Sequence, residues 1–424
     1  MAKSTPGGLG SVQDEDFGAA PHERPVPRIS IQAFCEFPDT GAALQRAAAD
    51  RRLAKAQVTV QLGGLQAAVE HHAGNATPNL LIVETRLQGK TALDEIDRLA
   101  DVCDPTTKVV IVGRVNDVEL YRELMRRGVS EYLVAPLNPL HLIEVISGLY
   151  LNPDAPPIGR VVTFIGARGG TGSSTLCHNV GWCIAERMKI SSTIVDLDMP
   201  FGTMGLDFNE EPSQGVADAL SSPERLDDVL LDRLLLKISD HLSLLPSPAI
   251  VDRDYDADAS AYEAVLDTVR AITPCVVVDL PHMWAPWIRQ ALLSSDDIVI
   301  VATPDLASLR TTKSFVDLLK QNRPNDPPPK LVLNQTGMPK RPEIPTKDFS
   351  ETVGVQPALV LPFEPHLYGS AANNGQMLME VQPRSVTAEG IRTLAELVTG
   401  RAVQADKSKG VFDLLPFLKG RKTA

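Results

Sequence analysis

The chain has 424 residues, with 41 Lys and Arg against 53 Asp and Glu, a formal charge of −12. That balance argues against binding nucleic acid through bulk positive charge; 43% hydrophobic and 22% charged residues exclude a disordered chain. The length suits roughly two to three domains, and with aromatics at 5% the core must rest on Val, Ile, Leu and Ala.

Residues 1–27 are polar, rich in Gly and Pro, and lack the apolar stretch of a secretory signal, so they read as a flexible arm. From 28 to 150, short apolar runs alternate with amphipathic stretches. Strands are predicted at Arg28–Phe34, Gln57–Leu62, Asn79–Val83, Lys108–Val112 and Glu131–Val134, and helices at Gly41–Lys55, Leu93–Ala100 and Val118–Arg127. Such alternation implies a parallel sheet covered on both faces, here a flavodoxin-like domain. The Pro-rich stretch 151–159 reads as a linker. A second alternating series fills 160–404, with strands at Val161–Ile165, Thr193–Leu197, Leu242–Leu245, Cys275–Asp279, Ile298–Ala302, Lys330–Asn334 and Ala358–Leu361. The expected fold class is α/β, with two doubly wound parallel-sheet domains.

Five scattered cysteines without a CxxC pair read as buried thiols in a reducing compartment. The histidines show no ligand spacing, with His71 and His72 directed to different faces of a helix. No apolar run approaches the roughly 18 residues of a membrane span. A cytoplasmic chain is expected.

The chemistry concentrates after the first strand of the second series. Val161–Ile165 runs into Gly166-Ala-Arg-Gly-Gly-Thr-Gly-Ser-Ser-Thr175, and an amphipathic helix pattern follows at once. Glycines let successive N–H groups converge on an anion, and the helix N-terminus adds its positive dipole. The standard GxxxxGK[ST] pattern needs Lys where Ser173 stands. The remaining cation is Arg168, upstream in the loop; it keeps the charge but not the reach of Lys. About twenty residues on, Val195-Asp-Leu-Asp198 places Asp196 and Asp198 on one side of a strand end, where open α/β sheets bind ligands. Val276-Val-Val-Asp279 is an apolar strand tipped by an acid suited to Mg²⁺.

The loop Arg168–Thr175 resembles the deviant Walker A loop of the ParA/MinD ATPases, and more narrowly the CpaE/TadZ branch of Flp/Tad pilus assembly proteins. That branch joins a receiver-like domain to a ParA/MinD-type P-loop domain. The stretches LDFN, LNQTGMPKRPEI and AANNGQM share the likeness, which covers about 28–400. It implies ATP and Mg²⁺ as cofactors. Nucleotide would be held by Gly169, Gly170, Thr171, Gly172, Ser173, Ser174 and Thr175, with Asn334 against adenine and Pro362 in the other wall of that pocket. Metal would be held by Ser174, Asp196 and Asp279. Asp198 would position the attacking water, and Arg168 would cross to the partner's phosphates in a nucleotide-linked homodimer. Pilus assembly proteins and a polar marker are the implied partners, at a cell pole beside the inner membrane.

With the second cation missing, hydrolysis is expected to be slow or absent, because charge develops on the phosphoryl group in the transition state. The alternatives are an active ATPase using Arg168 and a DNA-partitioning ParA-like protein. In the receiver-like half the phospho-acceptor position holds Glu84, and the usual Lys is missing from Val134-Ala135-Pro136. This predicts a non-phosphorylated docking domain with Glu84 as a solvated strand-end residue. The tail 405–424 sets Val411, Phe412, Leu414, Leu415, Phe417 and Leu418 between basic flanks. An anionic membrane, a partner groove or its own domain all suit it.

Overall fold

The structure, a computed structural model, describes residues 26–87, 89–150, 158–252, 255 and 257–401. The predicted tail, nearly all of the arm and most of the linker lie outside the described residues. Val26, the penultimate residue of the expected arm, is buried, and its N–H donates to the Arg52 carbonyl at 2.7 Å.

The first half runs β1 (Ser30–Cys35), α1 (Pro38–Ala48), β2 (Gln57–Leu62), α2 (Gly64–His72), β3 (Leu80–Glu84), α3 (Gly89–Val102), β4 (Lys108–Gly113), α4 (Val118–Arg126), β5 (Glu131–Val134) and α5 (Pro139–Tyr150). The strands form one parallel sheet in the order β2-β1-β3-β4-β5. β3 is Leu-Leu-Ile-Val-Glu and wholly buried, as a strand covered on both faces requires. One face packs on Leu44 and Ala47 of α1 and Leu142, Ile143 and Ile146 of α5. The other packs on Leu65 and Ala68 of α2, Ile96 and Leu99 of α3 and Leu124 of α4.

The second half runs β6 (Arg160–Gly166), α6 (Ser173–Met188), β7 (Ser192–Asp196), α7 (Met204–Asp207), α8 (Val216–Ser221), α9 (Asp228–Leu234), β8 (Leu236–Lys237), β9 (Leu242–Leu245), α10 (Ala259–Ile272), β10 (Cys275–Leu280) and α11 (Pro286–Ser294). It continues through β11 (Asp297–Ala302), α12 (Leu306–Asn322), β12 (Lys330–Thr336), α13 (Thr346–Val353), β13 (Pro357–Pro362), α14 (Pro365–Asn374), α15 (Leu378–Val381) and α16 (Val386–Thr399). The sheet order is β13-β12-β11-β6-β10-β7-β9-β8, parallel except for the β8–β9 pair. β8 has two residues, too short for a pattern of its own, and was not expected. Both faces are covered, by a core that includes α10, α11 and α12 on one side and one that includes α6 and α16 on the other. The fold is α/β throughout: a five-stranded sheet in flavodoxin-like order, then an eight-stranded, mostly parallel sheet.

Two expectations change. Cys103 is only half-buried, unlike the other four thiols. Glu84 is not solvated. It is 1% exposed, and its carboxylate accepts the N–H groups of Glu36 (2.9 Å) and Phe37 (3.0 Å) and the Thr40 hydroxyl (2.8 Å). One methylene longer than Asp, it crosses from β3 to the β1–α1 turn and supplies the acceptor those donors need when buried.

The halves meet through the 3₁₀ turn Arg51–Leu53 that follows α1. Arg51 Nη1 lies 3.0 Å from Asp296 Oδ1 and its Nε 2.8 Å from Asp326 Oδ2. Arg52 reaches Asp326 at 3.3 Å, and Asn325 donates to Asp50 at 3.0 Å. Asp296 precedes β11 and also accepts the N–H of Val161, at the start of β6 (2.9 Å). The contact therefore lies at the N-terminal edge of the second sheet, opposite the glycine-rich loop. Among the described residues no helix is long and apolar enough to cross a membrane.

Candidate nucleotide site

The loop leaves β6 at Gly166 and enters α6 at Ser173. Gly170 (φ +80°) and Gly172 (φ +85°) take left-handed conformations that L side chains avoid. Between them Thr171 is buried, its hydroxyl donating to the Arg168 carbonyl at 3.2 Å. Left- and right-handed residues in alternation turn successive N–H groups to one side, and the first N–H groups of a sixteen-residue helix follow without intrahelical partners. The flank is open. A methyl group added to Gly169 or Gly170 would touch nothing within 4 Å.

Because the strands are parallel, their C-terminal ends gather the predicted residues on one edge. Asp196 ends β7 and Asp279 lies near the end of β10, paired in register, both at most 1% exposed. Ser174, the second residue of α6, lies close enough to Asp279 to oppose the pKa rise that burial causes there. Asp196 accepts the Ser247 hydroxyl at 3.0 Å and the Asp198 N–H at 3.0 Å. Asp198 lies past the strand end and is half-buried, its carboxylate accepting the Phe201 N–H at 3.2 Å. Burial raises the pKa of Asp196, Asp198 and Asp279 alike by disfavouring their charged forms, a cost that a cation placed among them would offset. Among the site residues expected from sequence, two buried polar atoms have no partner, Ser173 Oγ and Asp279 Oδ1. An open nest and two unmet polar atoms fit a phosphate chain with a divalent cation.

Asn334 has a structural task beside the loop. Its side-chain N–H donates to the Thr171 carbonyl at 2.8 Å and its oxygen accepts the Gln335 N–H at 2.9 Å. One N–H and one oxygen lone pair of the amide thus brace the loop. Gln335, missed from sequence, adds a second brace to the Gly170 carbonyl at 2.8 Å. Pro362 is half-buried at the end of β13, paired in register with Thr336. Arg168 is 43% exposed and its Nε contacts Asp305 at 3.2 Å, within its own chain.

His178 was also missed. One turn after Ser174 on α6, it is fully buried, with Nδ1 2.7 Å from Asp207 and Nε2 3.8 Å from Asp279. Burial would lower its pKa, but the hydrogen bond with Asp207 and the charges of Asp279 and Asp196 turn the net shift upward. The sequence signal was the i, i+4 spacing to Ser174, which sets both on one face of the helix.

Residues 160–338 match a family model described as cellulose biosynthesis protein BcsQ. A solved structure, the pilus assembly protein CpaE from Caulobacter crescentus CB15, is 52% identical, with 98% of that chain and 30% of this one covered and a TM-score of 0.30. The chain belongs to the CpaE family of pilus assembly proteins. A ParA family ATPase from Chlorobium tepidum TLS is 25% identical over 56% of this CpaE-family chain and 98% of its own, with a TM-score of 0.50. The septum site-determining protein MinD of Synechocystis sp. is 22% identical, over 58% of this chain and 91% of its own. A CpaE-family chain with a ParA/MinD-type second half thus carries its loop, acids and braces on one sheet edge.

Proposed function

We propose that this pilus assembly protein binds Mg²⁺-ATP at Arg168–Thr175, dimerises with nucleotide bound, and acts as a polar localisation scaffold with weak or no hydrolysis. The observation that carries the reading is the open glycine nest beside the unmet Ser173 Oγ and Asp279 Oδ1. In it the N–H groups of Gly169 to Thr175 hold the phosphates. Ser174, Asp196 and Asp279 hold Mg²⁺, which when bound neutralises the phosphate oxygens. Asp198 stands where an attacking water would be oriented, but Ser173 supplies no cation to the phosphoryl group, which is the physical reason turnover is weak.

Dimerisation has its own support. Phe201 (71% exposed), Leu206 (73%), Met283 (52%), Trp284 (54%) and Leu306 (73%) follow β7, β10 and β11 on the loop's own sheet edge. Large apolar side chains left in water around an anion site mark a face that another protein covers, and a second copy would bring Arg168 toward these phosphates. Light scattering on the full chain tests this. Mg²⁺-ATP should convert monomer to dimer, and Arg168→Ala should remain monomeric with nucleotide binding retained. A chain that binds Mg²⁺-ATP and stays monomeric contradicts the dimer reading.

A further inference from the structure

We propose that the groove between α3 and α4 of the receiver-like domain is the docking site for an amphipathic helix with an acidic polar face, carried by a protein partner. α4 is poorly covered by its own domain. Of its nine residues only Leu124 is buried, while Val118 is 61% and Tyr121 38% exposed. Leu93 of α3 and Leu120 of α4 are half-buried and face each other across a cavity of about 850 Å³, floored by Ile96, Ile111, Leu124 and Tyr132. Two splayed helices over an apolar floor form the kind of trough that accepts a third helix through anchors spaced i, i+3 or i+4, and i+7.

Charge selects among occupants. Arg86, Lys90, Arg114, Arg122 and Arg126 stand on the rim. Lys90 and Arg122 are exposed and make no ion pair among the described residues. The wall carboxylates are largely engaged: Asp117 caps α4 through the N–H groups of Glu119 (2.8 Å) and Leu120 (3.2 Å), and Glu123 pairs with Arg126 and Arg127. Glu119 alone among the wall carboxylates has no such partner within the described residues. The groove lining thus carries five basic side chains against three carboxylates, a positive excess on a chain of net −12, and complements an acidic helix. The groove also lies on the free side of its sheet. The Asp50–Lys55 segment that grips the second domain follows α1, on the opposite face. With nine residues, α4 offers a wall of about 13 Å, some two to three turns of a docked helix.

The test is site-specific photo-crosslinking of the full chain in cells that assemble pili, with a photoreactive phenylalanine analogue at Leu93 or Leu120. Arg98, on the outer side of α3 and 67% exposed, is the control. Both groove positions should give an adduct that Arg98 does not. The captured peptide, sequenced by mass spectrometry, should carry apolar residues at helical spacing and more acids than bases. The exposed double reversal Lys90→Glu with Arg122→Glu should cut adduct yield at least about fivefold while melting temperature and nucleotide binding stay unchanged. Absence of an adduct from folded protein, a basic or non-helical captured peptide, a second copy of this chain in the adduct, or yield indifferent to the double reversal would each overturn the proposal.

Discussion

Gly172 shows how narrowly the site is specified. Its φ of +85° disfavours any side chain, and a Cβ there would meet Asn334 Nδ2 at 2.6 Å, displacing the amide that braces Thr171. Gly172→Ala should cost about 1–2 kcal/mol from the left-handed backbone, visible as a lowered melting temperature. Nucleotide affinity should fall further than that because the nest loses its shape. The neighbouring position runs the other way. Ser173 is buried with an unmet hydroxyl at the place a Lys occupies in the standard loop. Ser173→Lys should speed phosphate release by of order tenfold to a hundredfold, within the range that single charge-stabilising groups supply. The gain should vanish in the Ser173→Lys, Asp198→Ala double variant. Turnover unchanged by Ser173→Lys would show that the missing lysine is not what slows hydrolysis.

At the scale of elements, the β1–α1 turn hangs on one side chain. Glu84→Ala strips three donors of their acceptor, and leaving buried donors unpaired costs about 1–3 kcal/mol for each group that water cannot reach. Urea unfolding should show the N-terminal sheet losing about 3 kcal/mol or more, with Glu84→Gln milder because it keeps one acceptor oxygen. The strands and the loop were legible because apolar runs such as Val276–Val278 and a four-glycine loop have few other uses. The burial of Glu84 was not, because a lone acid at a strand end looks the same whether water or three backbone and hydroxyl donors receive it. β8 is two residues long, paired antiparallel to β9 by tertiary contact alone. Asn334 was read for its place at a strand end, but whether its amide faces a base or a backbone carbonyl is decided by the loop folded against it. His178 hid inside a helix whose apolar face looked complete, and only the approach of Asp207 and Asp279 gives it a role.

The whole molecule sets the N-terminal domain and the glycine-rich loop at opposite ends of the second sheet, so the dimer proposed above would carry its two N-terminal domains outward. Arg51 holds that geometry between Asp296 and Asp326, both nearly inaccessible. Arg51→Ala should weaken domain docking by about 3 kcal/mol, the scale for breaking a buried ion pair, seen as a larger radius in small-angle scattering. The pH response follows from the acids. Burial would raise the Asp50 and Asp326 pKa values, but the hydrogen bond from Arg52 on Asp50 and the charge of Arg51 on Asp326 turn both below the usual carboxylate range. Their contribution is complete above the unfolded carboxylate pKa, near 4, and is lost as pH falls through the lowered folded values. The domains should separate below about pH 4 while both sheets keep their far-ultraviolet signal. The most direct measurement of the central claim is calorimetric titration of the full chain with Mg²⁺-ATP, beside Gly172→Ala. The account requires saturable binding of one nucleotide per chain, sharply weakened in the variant. No binding heat and no displacement of a fluorescent ATP analogue from folded protein would contradict it.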